Sequence, residues 1–114
     1  MLKTFLIMLN LFVWTSSANA FHMCTDIRVV VVYGAEMLIR GQEEAEIDEM
    51  IAAQMQAHGY IHTPALRGAL LRQSLKLSQK IANSDLRQVT AVNYFGDKFH
   101  MECTRNKIWS GIGH

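Results

Sequence analysis

Thr25–Gly41, TDIRVVVVYGAEMLIRG, is the stretch that decides between a helical and a mixed fold. Taken alone, Val29–Tyr33 favours a buried strand, because β-branched residues are enriched in strands. Its surroundings favour a helix: Thr25 is a suitable N-cap, Gly41 suits the left-handed position after a helix, and Ala35–Arg40 are good helix formers. Since no other segment offers a partner strand, we predict a helix bracketed by Thr25 and Gly41.

Three further helices are predicted. The second, about Glu43 to Ala57, has an acidic N-terminal end and an apolar face, and His58-Gly59 ends it. The third starts at Thr63-Pro64 and runs to about Ala82. The fourth starts at Ser84-Asp85. Its predicted buried face consists of Leu86, Val89, Val92, Gly96, Phe99 and Cys103. The expected fold is therefore all-α, a small four-helix antiparallel bundle or array.

The first twenty residues have the features of an export signal. Lys3 is followed by the apolar run Phe5–Trp14 and by Ala18-Asn19-Ala20, which matches the Ala-x-Ala cleavage pattern. The run is shorter than the roughly 20 apolar residues that span a bilayer, although a retained anchor is the alternative. We predict cleavage after Ala20, a mature chain that starts at Phe21 in the periplasm or outside the cell, and no membrane span thereafter. Residues 21–114 form one predicted domain, in which residues 104–114 are a frayed tail.

The two cysteines, Cys24 and Cys103, are predicted to form a disulfide, because small exported domains have their cysteines paired. Such a bridge ties nearly the whole domain into one loop. A redox-active pair is the competing interpretation, but reactive pairs usually lie close in sequence, as in Cys-x-x-Cys.

This chain combines a signal peptide, a Cys that opens the first helix, Tyr33-Gly34-Ala35 before the helix end Arg40-Gly41, an acidic second helix, and a final helix with Tyr94, Phe95, Phe99 and Cys103. With these features the whole mature chain resembles a loose group of short exported single-disulfide helical proteins of bacteria and their phages. The resemblance implies a helical fold and an exported location, and it implies no active site.

Charge is nearly balanced overall, at +1, but it is unevenly distributed. The acids between residues 26 and 49 are Asp26, Glu36, Glu43, Glu44, Glu46, Asp48 and Glu49, against two bases. The bases between residues 67 and 107 are Arg67, Arg72, Lys76, Lys80, Arg87, Lys98, Arg105 and Lys107, against three acids. Either the two halves pack together and complement each other, or one of them is a charged binding face. Export and the lack of net positive charge argue against nucleic acid as a partner.

Two short segments echo each other, Phe21–Cys24 (FHMC) and Phe99–Cys103 (FHMEC). A disulfide would bring them to one end of the molecule, where imidazole and thioether groups could bind copper. The candidate copper ligands are His22, Met23, His100 and Met101. Reduced cysteines together with the two histidines could instead hold zinc. The structural interpretation is that Phe and Met fill the core around the bridge.

No nucleophile elbow, phosphate loop or zinc-protease pattern occurs in the sequence, so we predict a protein that is not an enzyme and needs no cofactor. The predicted function is that of a binding or inhibitor protein acting on another periplasmic protein. Glu43 and Glu46 on the acidic second helix, and Trp109 in the tail, are the candidate partner-binding residues. A copper- or zinc-handling protein is the alternative.

Overall fold

The computed structural model describes residues 23–106, in which the chain forms four helices. Helix α1 occupies residues 23–39, α2 Glu44–Ala57, α3 Pro64–Ala82 and α4 Gln88–Asn106. The described residues include no strand, and the helices pack as a bundle, which confirms the predicted fold class. The predicted signal peptide, Phe21, His22 and residues 107–114 lie outside the described residues.

Helix α1 contains the β-branched run and is the central element of the bundle. Ile27, Val30 and Val31 are fully buried. A disulfide connects α1 to α4, a hydrogen bond from Ser74 connects it to α3, and Gly34 lies against Ile47 of α2. A helix that is covered on several sides needs apolar residues around most of its circumference, which explains why this helix reads locally as a strand.

Glycine ends two of the helices. Gly41 has φ +87°, the amide of Gly41 donates to the carbonyl of Leu38, and the amide of Gln42 donates to that of Met37. These two hydrogen bonds form a Schellman motif, so the predicted stop at Gly41 is confirmed. Gly59, with φ +79°, ends α2 through the same pattern.

The beginnings of the helices agree less well with the sequence pattern. Thr63 caps α3 as predicted, since its Oγ1 accepts from the amide of Leu66 at 3.1 Å. The predicted cap at Thr25 is wrong, because the chain is already helical at Met23. Helix α4 starts at Gln88, later than predicted, because the Ser84 hydroxyl accepts from the amide of Leu86 and forms a turn instead.

The opposite end of α4 also differs from the expected frayed tail, as residues 104–106 are helical. None of the helices in the described part of the chain is long and apolar enough to cross a membrane.

Cys24 and Cys103 form the predicted disulfide, with Cα atoms 5.8 Å apart. Both cysteines are buried, and together they join the start of α1 to the last turns of α4. Further along, Arg28 Nη2 lies 2.6 Å from Asp97 Oδ1. These pairings make α1 and α4 antiparallel neighbours.

Candidate binding surfaces

The first candidate surface, which we call the acidic face of α2, consists of Glu43 just before the helix and of Glu44, Glu46 and Glu49 in its first two turns. All four residues are exposed. Gln42 Nε2 donates a 3.2 Å hydrogen bond to Glu46 Oε2, and none of the four carboxylates belongs to an ion pair of the described chain. The structure thus leaves the predicted residues Glu43 and Glu46 accessible to a partner.

The acidic and basic segments do not neutralise each other, which was one of the two interpretations of the charge pattern. Among the described residues a single ion pair joins an acid of the first segment to a base of the second: Asp48 Oδ1 lies 3.6 Å from Arg67 Nε. Because α2 and α4 each pack against α3 and not against each other, most of their charges stay apart. The structure therefore favours charged surfaces over internal complementarity.

A second surface, which the sequence analysis missed, is the groove between α3 and α4. We call it the lysine groove. It has an open part of about 460 Å³ and a smaller, more enclosed part of about 40 Å³. Lys76, Lys80 and Phe95 line both parts, so the two adjoin. Lys98 and Phe99 of α4 line the enclosed part.

The charged groups that line the lysine groove are mostly positive. Its lining contains three ammonium groups and a single carboxylate, that of Glu102. All ten carboxylate side chains of the sequence lie within the described residues, and none of them forms an ion pair with Lys76, Lys80 or Lys98. The groove consequently carries an excess of positive charge. The lysine pair on α3 and the phenylalanine pair on α4, each spaced four residues apart, were the sequence signal for it.

A third feature is a polar cluster beside the start of α1. The hydroxyl of Tyr60 donates a 2.8 Å hydrogen bond to Asp26 Oδ2, and His58 Nδ1 lies 3.7 Å from Asp26 Oδ1. Burial, then the hydrogen bond to Asp26 and its negative charge, raises the pKa of Tyr60. The cluster fastens the α2–α3 connection to α1. Its tyrosine is not an activated nucleophile, because burial and Asp26 raise the pKa of the hydroxyl.

The two histidines that flank Tyr60 have different partners. His58 faces Asp26, whereas His62 Nδ1 accepts a 2.9 Å hydrogen bond from Arg67 Nη1. Arg67 also approaches Asp48, so it links the loop before α3 to α2. The structure does not bring the two imidazoles to one shared site.

The structure describes only some of the predicted metal ligands. Met23 is buried, Met101 is 55% exposed, and His22 lies outside the described residues. The Nδ1 atom of His100 is buried and has no hydrogen-bond partner in the described part of the chain. Residues 23–106 contain no group of three histidine, cysteine or carboxylate side chains placed to hold a metal ion. The cysteines form the disulfide and supply no thiolate for zinc, so the structure gives the metal-handling alternative no support.

Some apolar side chains are exposed on the outer surfaces of α1 and α4. Val29 and Tyr33 line a shallow cavity of about 270 Å³ on α1. Leu86 and Val89 are 47% and 74% exposed, which corrects the prediction that they belong to the buried face of α4. Their displacement follows from the late start of that helix at Gln88.

Trp109, the remaining predicted partner-binding residue, lies outside the described residues.

Comparison of the chain with models of protein families, with curated proteins and with solved structures gives no match. The resemblance to short exported single-disulfide proteins therefore stays a prediction.

Proposed function

We propose that this chain is an exported, non-enzymatic binding protein that acts on a protein partner in the periplasm. The acidic face of α2 is the observation that carries the proposal. Its carboxylates are exposed, and none of them is paired with a cation of the described chain. Exposed charge of one sign steers a partner of opposite charge and disfavours the wrong ones, so it mainly sets association rate and specificity.

Export is supported by two independent features. The N-terminal sequence has the organisation of a signal peptide, and the described domain holds an intramolecular disulfide, which is typical of oxidising compartments. The non-enzymatic part of the proposal is supported by the sequence, which carries none of the catalytic patterns considered above.

The test starts from cross-linking in the periplasm, identification of the captured protein, and titration of the purified pair. The double variant Glu43→Lys/Glu46→Lys should lower the affinity by about tenfold or more, mostly through a slower association at low salt. Both side chains are exposed, so the helical spectrum should not change. A second variant, Trp109→Ala, tests the tail, because a buried aromatic residue would contribute affinity rather than rate.

Asp85→Lys is the control, with one acidic charge reversed where the double variant reverses two, since Asp85 is exposed in the α3–α4 connection and outside the acidic face. It changes the net charge without touching the acidic face and should leave the affinity within about twofold of the unaltered protein. Equal affinities for the double variant and the unaltered chain would contradict the proposal. Tight copper binding, together with a failure to capture any protein partner, would also contradict it.

A further inference from the structure

We propose that the lysine groove binds an amphipathic helix of a protein partner, with acidic residues along the edges of the apolar face of that helix. This site lies between α3 and α4 and is separate from the acidic face of α2. The inference rests on the shape of the groove, the chemistry of its floor and the sign of the charge at its rims.

The shape of the groove fits an elongated occupant. Its lining extends from Gln73 to Asn83, about three turns of α3 or roughly 15 Å. The larger part is open to solvent along one side. Small-molecule sites bury most of their ligand, about 70–90% of its surface, and an open groove of this kind cannot do so. A helix lying along the groove would contact both walls and bury only one of its faces, which is the usual helix-in-groove mode.

The floor of the groove offers apolar anchoring points. Leu77 is 4% exposed, and Phe95 and Phe99 are partly buried and pack against the core. They surround the enclosed part of about 40 Å³, which exceeds the roughly 10–15 Å³ that a single water needs. This part can take the end of one apolar side chain from the partner helix.

The rims of the groove determine the charge of the partner. Lys76 and Lys80 lie one turn apart on α3, and Lys98 lies on α4, so cations stand on both sides. They have no ion-pair partner among the side-chain carboxylates, all of which lie within residues 23–106. A helix with Glu or Asp at both edges of its apolar face would place carboxylates opposite both rims, whereas a helix with basic edges would be repelled.

The probe for the test is a labelled synthetic helix about four turns long, slightly longer than the groove, with leucines on one face and glutamates at both edges. Its binding to the oxidised protein is followed by fluorescence anisotropy at low and high salt. The acidic helix should bind, and a helix of the same pattern with lysines in place of the glutamates should not. Raised salt should weaken the binding, because part of the attraction is between solvent-exposed charges.

Substitutions locate the site. Lys76→Glu/Lys80→Glu should weaken binding of the acidic helix by about tenfold or more, and Arg40→Glu should change it by less than about twofold. Arg40 is exposed at the end of α1 and lines neither part of the groove, so its reversal is a control for loss of a basic charge elsewhere, half the charge change of the double variant. Phe95→Ala tests whether the apolar floor of the groove contributes to binding of the acidic helix. Should this variant lose its helical spectrum, amide chemical-shift changes in the unaltered protein must instead map to Lys76, Lys80, Phe95 and Phe99.

Three results would overturn the inference. The first is equal binding of the acidic and basic helices. The second is a set of shift changes outside α3 and α4. The third is that the protein binds a medium-chain fatty acid in the groove and does not bind the acidic helix. The groove would then be a site for a small anionic amphiphile. Failure of this test leaves the proposal for the acidic face of α2 intact, because the Glu43→Lys/Glu46→Lys experiment uses the opposite charge on another helix.

Discussion

The hydroxyl of Ser74 donates a 3.1 Å hydrogen bond to the backbone carbonyl of Val31, across a fully buried contact between α3 and α1. Ser74 is the one polar residue that is buried among the described residues. Its partner belongs to the valine run that reads as a strand in isolation. The close approach of the two helices at this point depends on a small side chain on α3 and on the missing side chain of Gly34, one turn further along α1.

The first prediction concerns Gly34. A Cβ at this position would lie 2.5 Å from Ser74 Oγ, 3.1 Å from Ser74 Cβ and 3.3 Å from Ile47 Cγ2. Gly34→Ala should therefore destabilise the domain by about 1–3 kcal/mol, because the strain of overpacking exceeds the gain of about 1 kcal/mol in helix propensity. Urea denaturation of the two proteins measures the difference in the free energy of unfolding.

Gly68→Ala is the matched control for this prediction. Gly68 also lies within a helix, and the nearest atom to a Cβ there is the terminal Nη1 of Arg72 at 3.5 Å, an ordinary contact. This change should stabilise the protein by up to about 1 kcal/mol. If Gly34→Ala and Gly68→Ala shift the urea midpoint in the same direction, the tight contact between α1 and α3 is not the cause of the Gly34→Ala effect.

The second prediction concerns the hydrogen bond of Ser74. Ser74→Ala removes a buried donor and should cost about 1 kcal/mol, the usual net contribution of such a bond. Ser78→Ala removes a comparable hydroxyl, but Ser78 donates to the carbonyl of Leu75 on its own helix and ties no two elements together. We expect a cost below about 0.5 kcal/mol there, as for most changes away from special features. Equal losses in the two variants would contradict the role given to the contact between the helices.

The sequence predicts the helices well where a local signal decides the structure. Thr63-Pro64 and Gly41 act through their own backbone and side-chain chemistry, and both behave as predicted. The choice of helix for Val29–Tyr33 was correct for the same reason, since the end signal and the following helix formers outweighed the β-branched run. The buried faces of α2 and α3 follow helical spacing, although Ser74 interrupts that of α3 with a hydroxyl.

Features that depend on tertiary contacts, or on which of two local hydrogen bonds forms, are not predictable from the sequence. The Ser84 turn delays α4 and thereby exposes Val89, and no local signal distinguishes it from an N-cap. The lysine groove exists only because α3 and α4 pack antiparallel, which places two separate i, i+4 pairs at one site. The same holds for Tyr60 and Asp26, which are 34 residues apart in sequence.

The third prediction concerns the disulfide between Cys24 and Cys103, whose sequence separation is 79. Closing a loop of that size restricts the unfolded chain and contributes about 4–5 kcal/mol in the chain-entropy estimate. Reduction, or the double variant Cys24→Ser/Cys103→Ser, should therefore lower the melting temperature strongly. Thermal unfolding of the oxidised and reduced proteins, with free-thiol labelling of the native state as a check, measures this. An identical melting temperature with and without reductant would remove the structural role of the bridge.

The fourth prediction concerns alkaline pH and Tyr60. Burial, the hydrogen bond to Asp26 and the charge of Asp26 raise the pKa of Tyr60 in the folded protein above its ordinary value of 10.0. The folded chain then holds this proton where the unfolded chain has lost it. The stabilisation is complete below pH 10.0 and decreases as the pH rises above that value.

Tyr60→Phe isolates this effect, because phenylalanine has no proton to lose. The free energy of unfolding of the unaltered protein should exceed that of Tyr60→Phe at neutral pH, and the difference should shrink above about pH 10. Tyr94→Phe is the control, since Tyr94 is 56% exposed and donates no hydrogen bond to a carboxylate of the described chain. Tyrosinate absorbance should show that Tyr60 ionises at a higher pH in the folded protein than in the unfolded chain. A difference between the unaltered protein and Tyr60→Phe that stays constant with pH would show that neither burial nor Asp26 raises the pKa of Tyr60 in solution.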